Sequence, residues 1–144
     1  MENTSQPTFF FLQSSTMERD VAGLTDCETT LQDIKNTINR FTAARDWQQF
    51  HSAKNVAMAL VSEAAELMAH FRWSEHSQDA DVLGDARSLR EIRLEVADVL
   101  LLLAEFANVA GIDMAQAVEE KMAINAERYS VEKSRGTAQK YDRL

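Results

Sequence analysis

The stretch from Leu89 to Ala110 reads LREIRLEVADVLLLLAEFANVA, and Gly111 follows it directly. The absence of proline and glycine over this length is typical of a helix, and a glycine is a natural residue to end one. From Val96 to Leu103 the helix would be apolar on nearly all sides, so most of its surface must be covered. A small helical chain has difficulty covering it alone, and we expect a second subunit to contribute.

Residues that break helices are rare elsewhere too. The 144 residues include one proline and four glycines, and between Leu24 and Ala110 the only one of these is Gly84. Because β folds need turn residues about every 8–12 positions, the sequence predicts an all-α fold. Ser52 and Asp113 are suitable N-caps. The predicted helices span about 28–44, 52–71, 89–110 and 113–129, with a loop over 74–86.

The predicted domain organisation is a tail over residues 1–26 and one helical domain over 27–144, which includes a C-terminal segment over 130–144. The single cysteine, Cys27, excludes an internal disulfide and fits a reducing compartment. The apolar run from Val99 to Ala104 is far shorter than the roughly 20 residues that cross a bilayer, and no signal sequence is evident. These features predict a cytoplasmic protein.

The net charge of −8 bears on which partners the surface can attract. An acidic surface repels the phosphate backbone of nucleic acids and anionic lipid, so neither nucleic acid nor a membrane is an expected partner. A free anionic ligand would need a bound metal or a local group of cations.

Two acid pairs lie within apolar helical sequence: Glu63 with Glu66, and Glu95 with Asp98. A spacing of three places both acids of a pair on one side of a helix. Such pairs can be ordinary solvated positions. However, charges in apolar surroundings cost several kcal/mol per ion, and a divalent cation offsets that cost. Carboxylate oxygens suit Mg²⁺ or Mn²⁺ rather than zinc, and Mg²⁺ is often shared with substrate phosphates. No P-loop sequence is present.

Cationic and aromatic residues supply further candidates for ligand contacts. Lys121, Asn125 and Arg128 fall on one side of the fourth helix and could hold phosphates, or could form a solvated face. Trp47 and Trp73 follow the first and second helices. They could stack on a planar base at about 1–3 kcal/mol each, or pack in the core. His51 could donate a hydrogen bond to such a ligand.

Several longer patterns resemble the all-α nucleoside triphosphate pyrophosphohydrolases of MazG type. The two acid pairs match the family signature Glu-x2-Glu and Glu-x2-Asp. Residues 45–51, 60–67, 71–73, 121–129 and 134–141 look like the dCTP pyrophosphatase branch. The resemblance extends over about residues 28–142 and implies a four-helix MazG-like bundle completed by oligomerisation, as a homotetramer built from two dimers.

The resemblance also implies an activity: Mg²⁺-dependent cleavage of a deoxynucleoside triphosphate, dCTP or a modified dCTP, to the monophosphate and pyrophosphate. It implies that all four acids ligate the metal and that Trp47 and Trp73 enclose the base. Sugar and phosphates would then be held or covered by the remaining site residues: His51, Lys121, Asn125, Arg128, Tyr129, Lys140 and Tyr141.

One position departs from the branch, which commonly has a histidine that reads cytosine where this chain has Ile38. That departure weakens the expectation of strict cytosine selectivity. Two alternatives therefore stay open: the same fold acting on dUTP or another non-standard nucleotide, and a non-catalytic helical module for oligomerisation or binding.

Overall fold

The computed structural model describes residues 23–73, 75 and 78–143, and most of the tail predicted over residues 1–26 lies outside them. Within the described ranges the regular elements are all helices, which confirms the all-α prediction. The chain divides after Ala110 into two compact units, which are described separately below.

The first unit is built on one long helix, against which the shorter helices pack. Helix α1 is Leu31–Ala43, α2 is Ala53–Ala69, α3 is Asp79–Gly84 and α4 is Ala86–Ala110, with a 3-10 helix over Trp47–Phe50 between α1 and α2. Helix α4 is the centre of the unit, since α2 packs along it most extensively and α1 and α3 also contact it.

Local hydrogen bonds explain where these helices begin. The Thr30 hydroxyl accepts from the Asp33 amide, and the Asp33 carboxylate accepts from the Thr30 amide, which together form a capping box at α1. The Ser52 hydroxyl accepts from the Asn55 amide at 3.2 Å, as predicted for an N-cap of α2.

The prediction of a loop over residues 74–86 is wrong in part, because helix α3 lies within that range. Helix α4 also begins earlier than the predicted Leu89. The Asp85 carboxylate accepts a hydrogen bond from the Ser88 amide at 2.8 Å and so caps the first turn of α4. The backbone and side-chain hydrogen bonds from Ser88 hold the pKa of Asp85 below its ordinary value. A local cap therefore extends the helix over polar residues that lack apolar periodicity.

The apolar core of the first unit is small. Its fully buried apolar residues among those described are Val56, Ile92, Ala104 and Ala107. Large apolar side chains are instead exposed on α2 and α4, including Met58, Val61, Met68, Leu94 and Val96. The long apolar helix is thus only partly covered by its own unit. Among the described residues, no helix is both long and apolar enough to cross a membrane.

The second unit contains α5 over Met114–Arg128, a short helix α6 over Val131–Ser134 and a 3-10 helix over Tyr141–Arg143. Gly111, at φ 65°, ends α4 in the left-handed conformation. The Asp113 carboxylate accepts from the Gln116 amide at 3.0 Å and caps α5 as predicted.

Candidate functional site

Three acids of the predicted metal site come together where α2 packs against α4. Glu63 and Glu66 are one turn apart on α2, and Glu95 lies on α4. One carboxylate oxygen from each of these three residues, here called the acidic cluster, lies within 4.8 Å of the other two. Glu63 and Glu95 are half-buried, whereas Glu66 is exposed. Two helix-spaced acids and a third from the facing helix therefore surround one position.

The fourth predicted ligand, Asp98, lies one turn after Glu95 and is exposed. It is outside the acidic cluster, but its charge acts on Glu63. Desolvation raises the pKa of the Glu63 carboxyl above its ordinary value, and the charges of Glu66, Asp98 and Glu95 raise it further. All of these causes raise the pKa, so desolvation and the repulsion between neighbouring acids act together on Glu63.

The chemistry of these ligands fits a hard divalent cation. Carboxylate oxygens are the ligands that Mg²⁺ and Mn²⁺ prefer, and Mg²⁺ is commonly held by a few carboxylates with waters and phosphates completing the shell. No ion pair among the described residues involves the acidic cluster or Asp98. A divalent cation would therefore offset a repulsion that the described side chains leave uncompensated.

An apolar cavity of about 580 Å³ opens beside the acids. Glu63 and Asp98 form part of its wall, and the rest comes mainly from apolar side chains of α1 and α4. Its volume falls within the roughly 300–1,000 Å³ typical of small-molecule sites. Among the described residues, its lining is Leu24, Ile34, Thr37, Ile38, Phe41, Thr42, Trp47, His51, Glu63, Ala97, Asp98, Leu100, Leu101 and Leu102. Three apolar side chains of α1, those of Ile34, Ile38 and Phe41, thus line a cavity.

Trp47 reaches this cavity because the backbone turns sharply after α1. Asp46 has φ 54°, in the left-handed region, and its carboxylate accepts a hydrogen bond from the Gln49 amide side chain at 2.8 Å. The Trp47 ring then packs edge-on against Phe41, with 5.8 Å between ring centroids. The guanidinium of Arg45 lies 3.5 Å from the centroid of the Phe41 ring. This packing orients the indole, which remains 44% exposed and accessible to a planar ligand.

His51, also in the cavity wall, is held by a residue that the sequence analysis did not single out. Its Nδ1 lies 2.7 Å from Oε1 of Glu105, which is buried on α4. The signal that could have revealed Glu105 is its position: a charged residue within the otherwise apolar run from Val99 to Ala107. A charge there needs a partner.

Trp73 lies elsewhere in the same unit. It follows α2, is 90% exposed and is not among the described residues that line the cavity. Its role in enclosing a base stays a prediction.

Apart from His51, the residues predicted to hold or cover the sugar and phosphates lie in the second unit, and some contact one another there. Lys121, Asn125 and Arg128 occur along α5, with Asn125 half-buried and the other two exposed. The Arg128 guanidinium lies 4.9 Å from the centroid of the Tyr141 ring. Tyr129 packs edge-on against the same ring at 5.9 Å. The C-terminal segment thus folds back onto the end of α5.

Lys140 adds a second cation beside Tyr141, with its Nζ 5.9 Å from the ring centroid. The same Nζ lies 3.7 Å from an oxygen of Asp142. Four of the predicted residues, Arg128, Tyr129, Lys140 and Tyr141, are therefore brought together around one aromatic ring. Their binding of phosphates stays a prediction.

Residues 58–144 match the MazG-like family. The mouse (Mus musculus) protein named dCTP pyrophosphatase 1 is 38% identical over 117 residues, which cover 81% of this chain and 69% of the mouse protein. The human (Homo sapiens) protein of the same name is 36% identical over the same coverage.

A solved structure gives a corresponding result for the fold. The crystal structure of a pyrophosphatase from Archaeoglobus fulgidus superimposes with a TM-score of 0.66 and is 30% identical in sequence. The match covers 74% of this chain and 98% of the archaeal chain.

Proposed function

The chain belongs to the MazG-like family and is a nucleotide pyrophosphatase, and on that premise we propose that it cleaves deoxynucleoside triphosphates between the α and β phosphates. The products are the monophosphate and pyrophosphate, and dCTP or a modified dCTP is the favoured substrate. Such an activity would remove unwanted nucleotides from the cytoplasmic pool. The observation that carries the proposal is the acidic cluster at the edge of an apolar cavity that Trp47 also lines.

Mg²⁺, for which Mn²⁺ can substitute, is the metal that we propose for this site. Glu63, Glu66 and Glu95 would hold it, and Asp98 would complete the set from the adjacent turn of α4. When bound, the metal neutralises phosphate charge and lowers the pKa of a bound water. The carboxylates fix the metal's position and, through the one-sided repulsion at Glu63, favour its binding over an empty cluster.

The cavity is proposed to take the base and sugar. Trp47 offers a stacking face, and the aliphatic wall excludes water from the bound base. Trp73 would cover the base from a second side. Because the Ile38 side chain is apolar, it offers a cytosine no hydrogen bond, so at this position the cavity would distinguish bases by shape.

The cations of the second unit are proposed to bind phosphates. Lys121, Asn125 and Arg128 supply donors along α5, and His51 would contribute from the cavity wall. The group around Tyr141, with Tyr129 and Lys140, would close over the ligand. Cationic donors of this kind match the charge of a triphosphate in a protein that is otherwise acidic.

We also propose that the working protein is a homotetramer, a dimer of dimers in which the four-helix bundles are completed between subunits. The exposed apolar residues of α2 and α4, such as Val61 at 69% and Leu94 at 53%, support this assembly. A monomer by sedimentation or light scattering at micromolar concentration would contradict it.

The apolar wall at Ile38 favours a second candidate within the same chemistry, which is a preference for dUTP or another non-standard nucleotide. A panel of nucleoside triphosphates, assayed with Mg²⁺ and with identification of products, separates the two candidates. Release of orthophosphate in place of pyrophosphate, or no turnover of any nucleotide, would contradict the proposed reaction.

A matched pair of variants tests the metal site. Glu95→Gln removes one ligand of the acidic cluster and should abolish most activity, whereas Glu91→Gln, one turn earlier on α4, should leave it near wild type. Glu91 pairs with Arg87 at an exposed surface and is outside the cluster. Full activity in Glu95→Gln would contradict the assignment.

A further inference from the structure

The carboxylate of Glu105 is buried, and none of the ion pairs among the described residues joins it to a Lys or Arg. Its side chain is 3% exposed, and its helix neighbours Ala104 and Ala107 are buried apolar residues. Of its two oxygens, Oε2 has no hydrogen-bond partner among the described residues. A buried carboxylate is costly unless it is paired, so the single contact made by Oε1 must account for its placement.

That contact is with His51, which is 54 residues away in sequence. Nδ1 of His51 and Oε1 of Glu105 are 2.7 Å apart, the short distance typical of a hydrogen bond to a charged acceptor. A carboxylate accepts hydrogen bonds, and the arrangement that satisfies it here is one in which Nδ1 of His51 carries the proton and donates it. The other ring nitrogen, Nε2, is then the one left for another partner.

His51 itself is placed to use that nitrogen. It lines the apolar cavity, whereas Glu105 does not, and its side chain is 22% exposed. Its ring lies beside that of Trp47, with 6.5 Å between centroids. The backbone of His51 follows the end of the 3-10 helix, where its amide bonds to the Gln48 carbonyl at 3.1 Å. One anchor on the backbone and one on Nδ1 leave the ring a single orientation.

We propose that Glu105 is a positioning residue: it holds His51 with Nδ1 protonated and its ring in one orientation, so that Nε2 is presented to the nucleotide in the cavity. The identity of the ligand rests on the proposed function. Glu105 lies behind His51 and outside the cavity wall, so its charge orients the ring without facing the ligand's phosphates. Through His51, Glu105 would therefore affect how tightly the nucleotide binds and not how fast its bond is cleaved.

Two substitutions separate positioning from simple packing. Glu105→Gln keeps an oxygen that accepts from Nδ1, and Glu105→Leu fills the same apolar space without an acceptor. ¹⁵N NMR of the His51 ring at pH 8 should show Nδ1 protonated in the wild-type chain and in Glu105→Gln. In Glu105→Leu the ring should change to a mixture of tautomers. An unprotonated Nδ1 in wild type, or a ring signal unchanged by Glu105→Leu, overturns the proposal.

Steady-state kinetics supply the second measurement. Glu105→Leu should raise KM for the preferred nucleotide by roughly 10-fold while kcat changes less than about 2-fold, because a contact made equally in ground and transition states affects binding alone. Glu105→Gln should stay within about 2-fold of wild type in both constants. Adding His51→Ala to Glu105→Leu should raise KM no further, since both act through one contact.

Each failure has a separate meaning. A fall in kcat with KM unchanged, or effects of Glu105→Leu and His51→Ala that multiply, would assign Glu105 a structural role only. The NMR measurement needs no turnover, so it decides the positioning claim even if the nucleotide panel refutes the proposed reaction. If Glu105→Leu does not fold, loss of activity in folded Glu105→Gln with Nδ1 still protonated would overturn the proposal.

Discussion

Replacing His51 by alanine should destabilise the protein far more than replacing Glu105 by leucine, although both changes remove the same hydrogen bond. In His51→Ala, Oε1 of the buried Glu105 carboxylate loses His51, and Oε2 has no partner among the described residues even in the wild type, so both oxygens are left without a protein hydrogen bond. Removing one partner of a buried charged pair costs about 3–5 kcal/mol. We expect the lower end, because 22% of the His51 side chain is exposed and water can partly replace it.

Glu105→Leu removes the buried charge together with its need for a partner. Replacing a buried ionic group by a well-packed apolar one of similar volume is often neutral or stabilising by ~1–4 kcal/mol. The leucine would lie near Ala104 and Ala107, both buried on the same helix. His51 would keep its access to solvent, so the variant should be at least as stable as wild type.

Thermal and urea unfolding at pH 8 in metal-free buffer measure both effects. A loss of ~3–4 kcal/mol corresponds to a fall in Tm of roughly 10 °C for a chain of this size. Arg87→Ala is the control, because the Arg87–Glu91 pair is exposed and should contribute about 0–1 kcal/mol. Glu105→Leu should restore the stability of His51→Ala. The reasoning is refuted if His51→Ala falls no further than Arg87→Ala, or if Glu105→Leu destabilises as much as His51→Ala.

Three further outcomes follow from local features. Desolvation and neighbouring acids raise the pKa of Glu63 in the folded state. The free energy of unfolding should therefore fall as the pH rises from about 4.5, the ordinary pKa, through the raised pKa of the folded state. In EDTA, Glu63→Gln should therefore melt above wild type at pH 7–8, with the difference vanishing below the ordinary pKa of 4.5. Gly111→Ala should lower the free energy of unfolding, measured in urea, by about 1 kcal/mol, because Gly111 has φ 65°. Gly84→Ala in helix α3 should raise it by about 0.5–1 kcal/mol. Thr30→Ala should lower the free energy of unfolding by about 1 kcal/mol. It removes the hydroxyl hydrogen bond that lowers the pKa of Asp33 and keeps the one from the Thr30 backbone amide, so part of the stability that this carboxylate adds above its ordinary pKa of 3.8 should be lost.

Short-range chemistry accounts for the elements that could be predicted from the sequence. The Ser52 and Asp113 caps and the Gly111 terminus each depend on residues within one turn, and all three are confirmed. Helix α3 was not predicted, because its acidic residues lack the apolar periodicity by which a helix is recognised in a sequence. The 3-10 helix at Trp47 was missed because it depends on the left-handed Asp46, which no spacing pattern reveals.

The amino-acid sequence by itself determined the helical class, the helix ends at Ser52, Asp113 and Gly111, and the pairing of acids within α2 and within α4, because each depends on neighbours at most a few positions away. Tertiary structure alone decided that Glu95 meets Glu63 and Glu66, and that the apolar face of α1 lines a cavity. It also decided that a histidine and a glutamate 54 positions apart form a hydrogen bond. Such contacts depend on how whole helices pack against one another, which the local chemistry of each segment does not contain.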